Sequence, residues 1–134
     1  MMYGSIWPIV AAAIAATLIG YVWYHPQVFG ARWMRLNAVT PERAELGASR
    51  RHAYTALGLV ANLVIATILR MFLGESGMTS VAEAARIGFF IWVGFVATIL
   101  LGTVLWEHRP FSLYLINAGY WLLALTSMAI ILVL

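Results

Sequence analysis

Residues 111–134 read FSLYLINAGYWLLALTSMAIILVL, a run without a single charged side chain. Its length is close to the roughly 20 residues that a helix needs to cross about 30 Å of hydrocarbon. Three similar apolar runs precede it, at about residues 6–24, 53–73 and 87–106. Arg70 is the only formal charge within the four runs. The pattern predicts an all-α polytopic integral membrane protein, a four-transmembrane-helix bundle that forms a single domain over residues 1–134.

The amino-acid composition also favours a membrane environment. Hydrophobic residues make up 63% of the chain and charged residues 10%, whereas soluble domains carry about 25% charged residues. The lipid bilayer is therefore the expected partner. The basic residues are all arginines that fall mainly in the predicted loops, so no nucleic-acid partner is expected. Cysteine is absent, which excludes disulfides, thiolate metal sites and thiol nucleophiles.

The positions of the arginines predict the orientation of the chain, because short loops rich in Lys and Arg stay in the cytoplasm. The first loop, residues 25–52, and the third loop, with Arg109, contain most of them, whereas only Arg70 and Arg86 flank the second loop. Both termini are therefore predicted outside and the 25–52 loop in the cytoplasm, in a bacterial inner (plasma) membrane. The first apolar run is longer than the core of a secretory signal and no basic residue precedes it, so we expect it to be retained.

Several helix ends are predicted by local chemistry. Thr40 followed by Pro41 is typical of an N-cap with proline at the first helical position, and Gly47 is expected to break the helix that starts there. Ser80 with Glu83 three residues later forms a capping-box pattern, which predicts that the third long helix starts near residue 81.

An aromatic segment follows the first apolar run. Pro26 ends a straight helix, because the residue before a proline disfavours the helical conformation. Phe29 and Trp33 recur at helical spacing with Arg32 beside them, which predicts a short interfacial helix after the first span. The predicted interfacial anchors are Trp23, Tyr24, Pro26, Phe29 and Trp33. Such an aromatic belt is the alternative to a ligand-binding role for this segment.

Three motifs carry a resemblance to a known family. They are Trp23-Tyr24-x-Pro26-x-x-Phe29-Gly30-x-x-Trp33, Glu107-x-Arg109-Pro110 and Ile116-Asn117-Ala118-Gly119-Tyr120. Together they resemble a widespread bacterial family of small four-span membrane proteins, the domain-of-unknown-function family 1761, over essentially the whole chain. The resemblance implies a four-helix integral membrane protein and assigns no activity or catalytic residue.

Small residues four positions apart mark candidate helix-packing faces. In lipid, helices associate mainly through close backbone approach at small residues and through a few polar contacts. The candidate packing residues are Ala12, Ala16 and Gly20 in the first run, Gly58 in the second, and Gly94, Thr98 and Gly102 in the third. Such faces join helices either within one chain or between chains, and we expect a homo-oligomer.

Asn62 and Asn117 lie deep within the predicted spans. Tyr114 and Tyr120 are three residues from Asn117 and Trp121 is four residues from it, so these side chains share a broad helix face. A buried amide needs a hydrogen-bond partner, and an intramembrane Asn either joins helices or contributes to a site. The candidate ligand-binding residues are therefore Asn62, Asn117, Tyr114, Tyr120 and Trp121.

A second candidate site lies where the first and third loops meet the membrane. The predicted topology brings His25, His52, Glu107, His108 and Arg109 to the same membrane level. Imidazole and carboxylate groups are competent metal ligands, but no recognised ligand spacing occurs and Arg109 opposes a cation. An anionic ligand, a lipid headgroup, or simple solvation and ion pairing are the alternatives. We expect neither a metal nor a cofactor.

No enzyme is expected, because the sequence contains no glycine-rich phosphate loop, no Gly-x-Ser-x-Gly elbow and no Asp. The favoured function is binding or passage of a small or lipophilic ligand in the membrane by a homo-oligomer. The alternative is a structural or accessory protein that packs against a partner membrane protein. A membrane enzyme that uses Glu107 with a histidine is a third hypothesis. A polar cavity reaching Asn62 or Asn117 favours ligand binding, whereas a dry bundle with an exposed small-residue face favours the accessory role.

Overall fold

The chain is all-helical over residues 4–134, the range that the structure, a computed structural model, describes. The first three residues, at the terminus that we expect outside, lie before this range. The helices are α1 (Trp7–Trp23), α2 (Pro26–Leu36), α3 (Pro41–Ser49), α4 (Arg51–Glu75), α5 (Val81–Leu105) and α6 (Phe111–Val133). Helices α4, α5 and α6 are each long and apolar enough to cross a membrane, and α1 with α2, bent by 45°, supplies a fourth span if the pair is taken as one.

The helix boundaries follow the predicted caps. The Thr40 hydroxyl accepts a hydrogen bond from the Arg43 amide at 3.2 Å, and the Ser80 hydroxyl accepts one from the Glu83 amide at 3.3 Å. The predicted break at Gly47 is wrong, because α3 continues to Ser49 and the break falls at Arg50. A glycine inside a helix costs only about 1 kcal/mol relative to alanine, which the rest of α3 offsets.

Helix α6 lies at the centre of the bundle, with α1 on one side and α5 on the other. Helix α1 also packs along α4, whereas α4 and α5 have little contact with each other. The core is built largely from small side chains, and the alanines buried completely within it are Ala12, Ala13, Ala16, Ala66, Ala84, Ala124 and Ala129. Alanine lets helix backbones approach closely, which provides the van der Waals contact that drives helix association in lipid.

Two stretches have π-helical hydrogen bonding that the sequence did not reveal. They are Pro26–Gly30, at the start of α2, and Trp92–Ala97, in the middle of α5. In the first, the Gly30 amide donates to the His25 carbonyl oxygen at 3.0 Å. A Cβ atom at position 30 would overlap the Tyr24 carbonyl oxygen, so only glycine fits this turn. The predicted helix after the first span is therefore present and begins with a tight bend.

Candidate functional site

A cavity of about 690 Å³ lies between α1 and α4 and is referred to below as the α1/α4 cleft. Helix α1 and the turn after it contribute Thr17, Gly20, Tyr21, Tyr24, His25 and Pro26. Helices α3, α4 and α6 contribute Gly47, Arg51, Tyr54, Thr55, Gly58, Asn62 and Tyr120. The cleft therefore combines four tyrosine rings with hydroxyl, amide and basic groups, in a region that an apolar bundle would fill with aliphatic side chains.

The floor of the cleft is a small polar network around Asn62. Asn62 is only 6% exposed, and its amide nitrogen donates to the Thr17 hydroxyl at 3.1 Å. The Thr17 hydroxyl donates in turn to the Ala13 carbonyl oxygen at 2.9 Å. From α6, the Tyr120 hydroxyl donates to the Ala16 carbonyl oxygen at 3.0 Å. The buried amide thus has the partner that it requires, and three helices meet at this point.

The cleft runs along α4 from its first residue into the bundle. Arg51 lies at the mouth and Asn62 at the floor, eleven residues further along the helix, which corresponds to about 16 Å at the rise of an α-helix. Partway down, the Tyr21 and Thr55 hydroxyls are hydrogen-bonded to each other and join α1 to α4. Gly58 leaves open space one turn below them, because no described atom beyond its own helical backbone lies within 4 Å of the position that its Cβ would occupy.

The mouth of the cleft is basic. Arg51 and His25 line it, and no carboxylate belongs to the lining. The His25 Nδ1 atom accepts a hydrogen bond from the Gln27 amide at 3.1 Å, so a neutral His25 ring carries its proton on Nε2. Arg50 is engaged nearby, since its guanidinium donates to the Tyr54 hydroxyl at 3.4 Å. The mouth therefore offers donors and positive charge.

Asn117 lies on a different surface of α6 from the cleft. Its Oδ1 atom accepts a hydrogen bond from the Tyr24 hydroxyl at 2.8 Å. The neighbouring Trp23 indole donates to the Ile116 carbonyl oxygen at 2.8 Å. Trp23 and Tyr24, which we predicted as interfacial anchors, are therefore half-buried against α6 and fasten the end of α1 to it.

The remaining predicted anchors surround these two rings. Phe29 lies 4.6 Å from the Trp23 ring and Trp33 lies 6.1 Å from the Tyr24 ring, measured between ring centroids. Pro26 starts the π turn that positions them. A smaller cavity of about 450 Å³ opens beside this cluster and reaches Asn117.

The five predicted ligand-binding residues fall in four places. Asn62 and Tyr120 share the α1/α4 cleft, while Asn117 faces the smaller cavity. The Tyr114 hydroxyl donates to the Ala97 carbonyl oxygen at 2.9 Å and so attaches α6 to α5. Trp121 lies on an apolar surface that faces α4 and α5. The spacing of three or four residues predicts that Tyr114, Asn117, Tyr120 and Trp121 share one broad face of α6. In the structure, the neighbouring helices α1, α4 and α5 contact different parts of that face.

The predicted interface cluster is spread along one end of the bundle. His25 belongs to the cleft mouth, whereas the other four members, His52, Glu107, His108 and Arg109, are exposed and lie outside it. Within residues 4–134, no three His, Cys, Asp or Glu side chains form a group that could hold a metal ion. His52 lies at the start of α4, whereas Glu107, His108 and Arg109 lie in the connection between α5 and α6.

The predicted packing residues divide between the core and the surface. Ala12 and Ala16 are completely buried, and Gly20 lies against the Tyr120 ring. Among residues 4–134, no atom outside the helix's own nearby backbone lies within 4 Å of a Cβ built at Gly58 or Gly94. Thr98 is exposed and donates to the Gly94 carbonyl oxygen at 2.8 Å within its own helix. A Cβ at Gly102 would lie 3.6 Å from the Trp106 ring, one turn further along α5.

The face of α5 that does pack against α6 is a different one. A Cβ at Gly88 would lie 3.0 Å from the Thr126 Cα atom, and Ala84, four residues earlier, is completely buried. Gly119 of α6 is also essential to packing, because its Cβ would lie 2.9 Å from the Trp23 ring. The spacing of four between Ala84 and Gly88 is the signal that identifies this contact in the sequence.

The comparisons with known proteins identify a family. The chain matches the family described as "Protein of unknown function (DUF1761)" over residues 7–133. No curated protein and no solved structure matches the chain. The matched residues span α1 to α6 and include the cleft, the aromatic turn and the packing faces. This multi-helix chain, with three to four helices apolar enough to span a membrane, therefore belongs to the DUF1761 family.

Proposed function

We propose that this protein binds a small or lipophilic molecule in the α1/α4 cleft, at the level of the membrane. The observation that carries the proposal is the polar cavity that reaches Asn62 between two packed helices. Polar groups within a bilayer are costly unless they are paired or serve a site. A few convergent polar groups in a concave, largely apolar cavity are typical of small-molecule sites.

The shape of the cleft supports binding in preference to passage. Asn62 is the residue of α4 furthest from the mouth that lines the cleft. Beyond it, the two helices are closed by Ala12, Ala13 and Ala66, which are completely buried. A path across the bundle would require these close contacts to separate.

The cellular setting is part of the same proposal. We place the protein in a bacterial inner membrane, and the distribution of arginines supports an orientation with both termini outside and the mouth of the cleft on the cytoplasmic side. The ligand would then enter from the cytoplasm or from the inner leaflet. We further propose that the protein is a homo-oligomer, because the small residues of α5 at Gly94 and Thr98 face away from its own bundle.

Filling the cleft tests the proposal. Gly58 borders the cleft and has open space at its Cβ position, so Gly58→Phe fills the cavity without displacing neighbouring atoms. Gly94→Phe is the matched control, because Gly94 is equally open and belongs to no part of the cleft. Native mass spectrometry of each protein released from its own membranes then records the co-purifying small molecules.

We expect one small molecule per chain in the wild type and in Gly94→Phe, and its loss in Gly58→Phe. Retention of the same molecule by Gly58→Phe, with folding and yield equal to those of the control, would exclude the cleft as its site. The thermal unfolding temperature of both variants, measured by circular dichroism, verifies that each remains folded.

A second candidate function is an accessory role in which α5 contacts a partner membrane protein. Helix α5 is the least covered of the three long helices, with only 6% of its most apolar segment buried inside the chain. Gly94 and Thr98 lie on its exposed surface. If this role is correct, Gly94→Phe releases a co-purifying polypeptide and leaves the small-molecule content unchanged.

A further inference from the structure

We infer that the ligand of the α1/α4 cleft is a single-headed anionic amphiphile whose carboxylate or phosphate group is bound by Arg51 at the mouth. This inference rests on the proposed function of the cleft and specifies the chemical class of its ligand. Three features of the cleft support it: the positive charge at the mouth, the guanidinium of Arg51, which is available for a ligand, and the aromatic rings that form much of the walls.

The first argument is the sign of the charge at the mouth. Arg51 and His25 both line it, and the carboxylates of the chain contribute nothing to the lining. An anion at this position is attracted by the Arg51 guanidinium, whereas a cation is repelled by it.

The second argument is that Arg51 is available. Its guanidinium makes no hydrogen bond or ion pair with any side chain or backbone group in the described range 4–134. The neighbouring Arg50 instead donates to the Tyr54 hydroxyl. An unengaged guanidinium presents a planar set of donors that match a carboxylate or phosphate in a bidentate geometry.

The third argument concerns the rest of the cleft, which does not suit a free inorganic anion. Below the mouth, the rings of Tyr21 and Tyr120 and the open space at Gly58 form much of the walls. The hydroxyls of Tyr21 and Thr55, partway down, are already hydrogen-bonded to each other. The amide at the floor is already engaged with Thr17. About 16 Å of largely carbon surface therefore extends from the anion-binding end, which is the space that an alkyl or flat hydrocarbon chain requires.

The test compares a charged probe with a neutral probe of the same chain. Purified protein in a nonionic detergent is titrated with oleate, in alkaline buffer where the acid is ionised, and separately with oleyl alcohol. Native mass spectrometry gives the number bound, and the ligand-dependent rise in unfolding temperature gives the dissociation constant. The variants are Arg51→Gln, the control Arg32→Gln on an exposed position outside the cleft, and Gly58→Phe.

We expect one oleate per chain, with about tenfold weaker binding in Arg51→Gln, equivalent to about 1.4 kcal/mol. Oleyl alcohol is expected to bind the wild type and Arg51→Gln within about twofold of each other, because the guanidinium contributes little to a neutral head. Arg32→Gln is expected to match the wild type with both probes. Raised salt is expected to weaken oleate binding more than alcohol binding, because exposed charges are screened.

Two outcomes overturn the inference, and they are distinct from failure of the proposed function. Equal oleate affinity in the wild type and Arg51→Gln removes the role of the guanidinium. If inorganic phosphate or acetate displaces oleate and binds with an affinity similar to that of oleate, the cleft is a site for free anions. The hydrocarbon chain then contributes nothing, and the inference of an amphiphile is wrong. If either outcome is found while Gly58→Phe binds neither probe, the cleft is still the binding site, but its ligand belongs to another chemical class. Unchanged binding of both probes in Gly58→Phe instead rejects the proposed function itself.

Discussion

At the scale of single residues, the hydrogen bond between Tyr24 and Asn117 joins α1 to α6. The Tyr24 hydroxyl donates to the Asn117 Oδ1 atom at 2.8 Å. Side-chain hydrogen bonds between membrane helices contribute about 0.6 kcal/mol on average. We expect the double-mutant cycle of Tyr24→Phe and Asn117→Leu to give a coupling free energy of about 0.5 to 1.5 kcal/mol, measured from unfolding in mixed micelles. A coupling close to zero would mean that the two side chains contribute independently.

Gly119 is a second position at which one atom decides the packing. A Cβ there would lie 2.9 Å from the Trp23 ring, which is itself held by its indole hydrogen bond to the Ile116 carbonyl oxygen. We expect Gly119→Ala to lower the free energy of unfolding by about 1 to 3 kcal/mol, the usual range for overpacking. Thermal unfolding followed by circular dichroism measures this loss.

Gly94→Ala provides the control for Gly119→Ala. In the described part of the chain, no atom other than those of its own helical backbone lies within 4 Å of the Gly94 Cβ position. Alanine also favours the helical conformation over glycine by about 1 kcal/mol. The stability of Gly94→Ala should therefore equal or exceed that of the wild type. If both alanine variants unfold at the same temperature, the close contact between Gly119 and Trp23 does not exist.

At the scale of secondary-structure elements, the π turn that opens α2 depends on Gly30. A Cβ at position 30 would overlap the Tyr24 carbonyl oxygen and lie 2.9 Å from the His25 carbonyl carbon. Because backbone atoms cannot move aside as a flexible side chain can, Gly30→Ala must open the turn and displace the bend between α1 and α2. We expect a strongly reduced yield of monodisperse protein in size-exclusion chromatography, or a clearly lower unfolding temperature.

Gly47→Ala is the matched control for the turn. Gly47 also lies in a short helix of the same loop, but its Cβ position is open. It is expected to express and unfold like the wild type. Normal yield and stability of Gly30→Ala would show that the chain does not require the π turn.

At the scale of the whole molecule, the distribution of arginines predicts which end of the bundle faces the cytoplasm. The absence of cysteine makes the natural chain a suitable background for labelling. We expect a membrane-impermeant maleimide, added to intact cells, to label Ser76→Cys in the connection after α4 but not Ser49→Cys at the end of α3. Permeabilised cells should label both. The opposite pattern would place the mouth of the cleft on the outer side of the membrane. The ligand would then enter from that side and not from the cytoplasm.

The extent of prediction differs between the fold and the candidate site. The four apolar runs correspond to helices, and the caps at Thr40 and Ser80 lie where their side chains require. The candidate site was identified only in part. Asn62 and Tyr120 belong to the cleft, but the sequence indicates Arg51 only as one of the arginines of the 25–52 loop that predict orientation. Its position beside His25 depends on how α1 and α4 lie against each other.

The sequence by itself determined the long apolar helices, most of their ends and the family of this protein. These properties depend on hydrophobicity summed over about 20 residues, on caps that act within one turn and on motifs that are contiguous in the chain. The tertiary structure alone decided which small residues pack, where the π turns divide the helices, and which polar groups share a cavity. In lipid, helix association depends on atomic fit at a few contacts instead of on a general hydrophobic force. One broad face of α6 can therefore be divided among three neighbours, and residues of α1, α4 and α6 that are remote in sequence can enclose a single cleft.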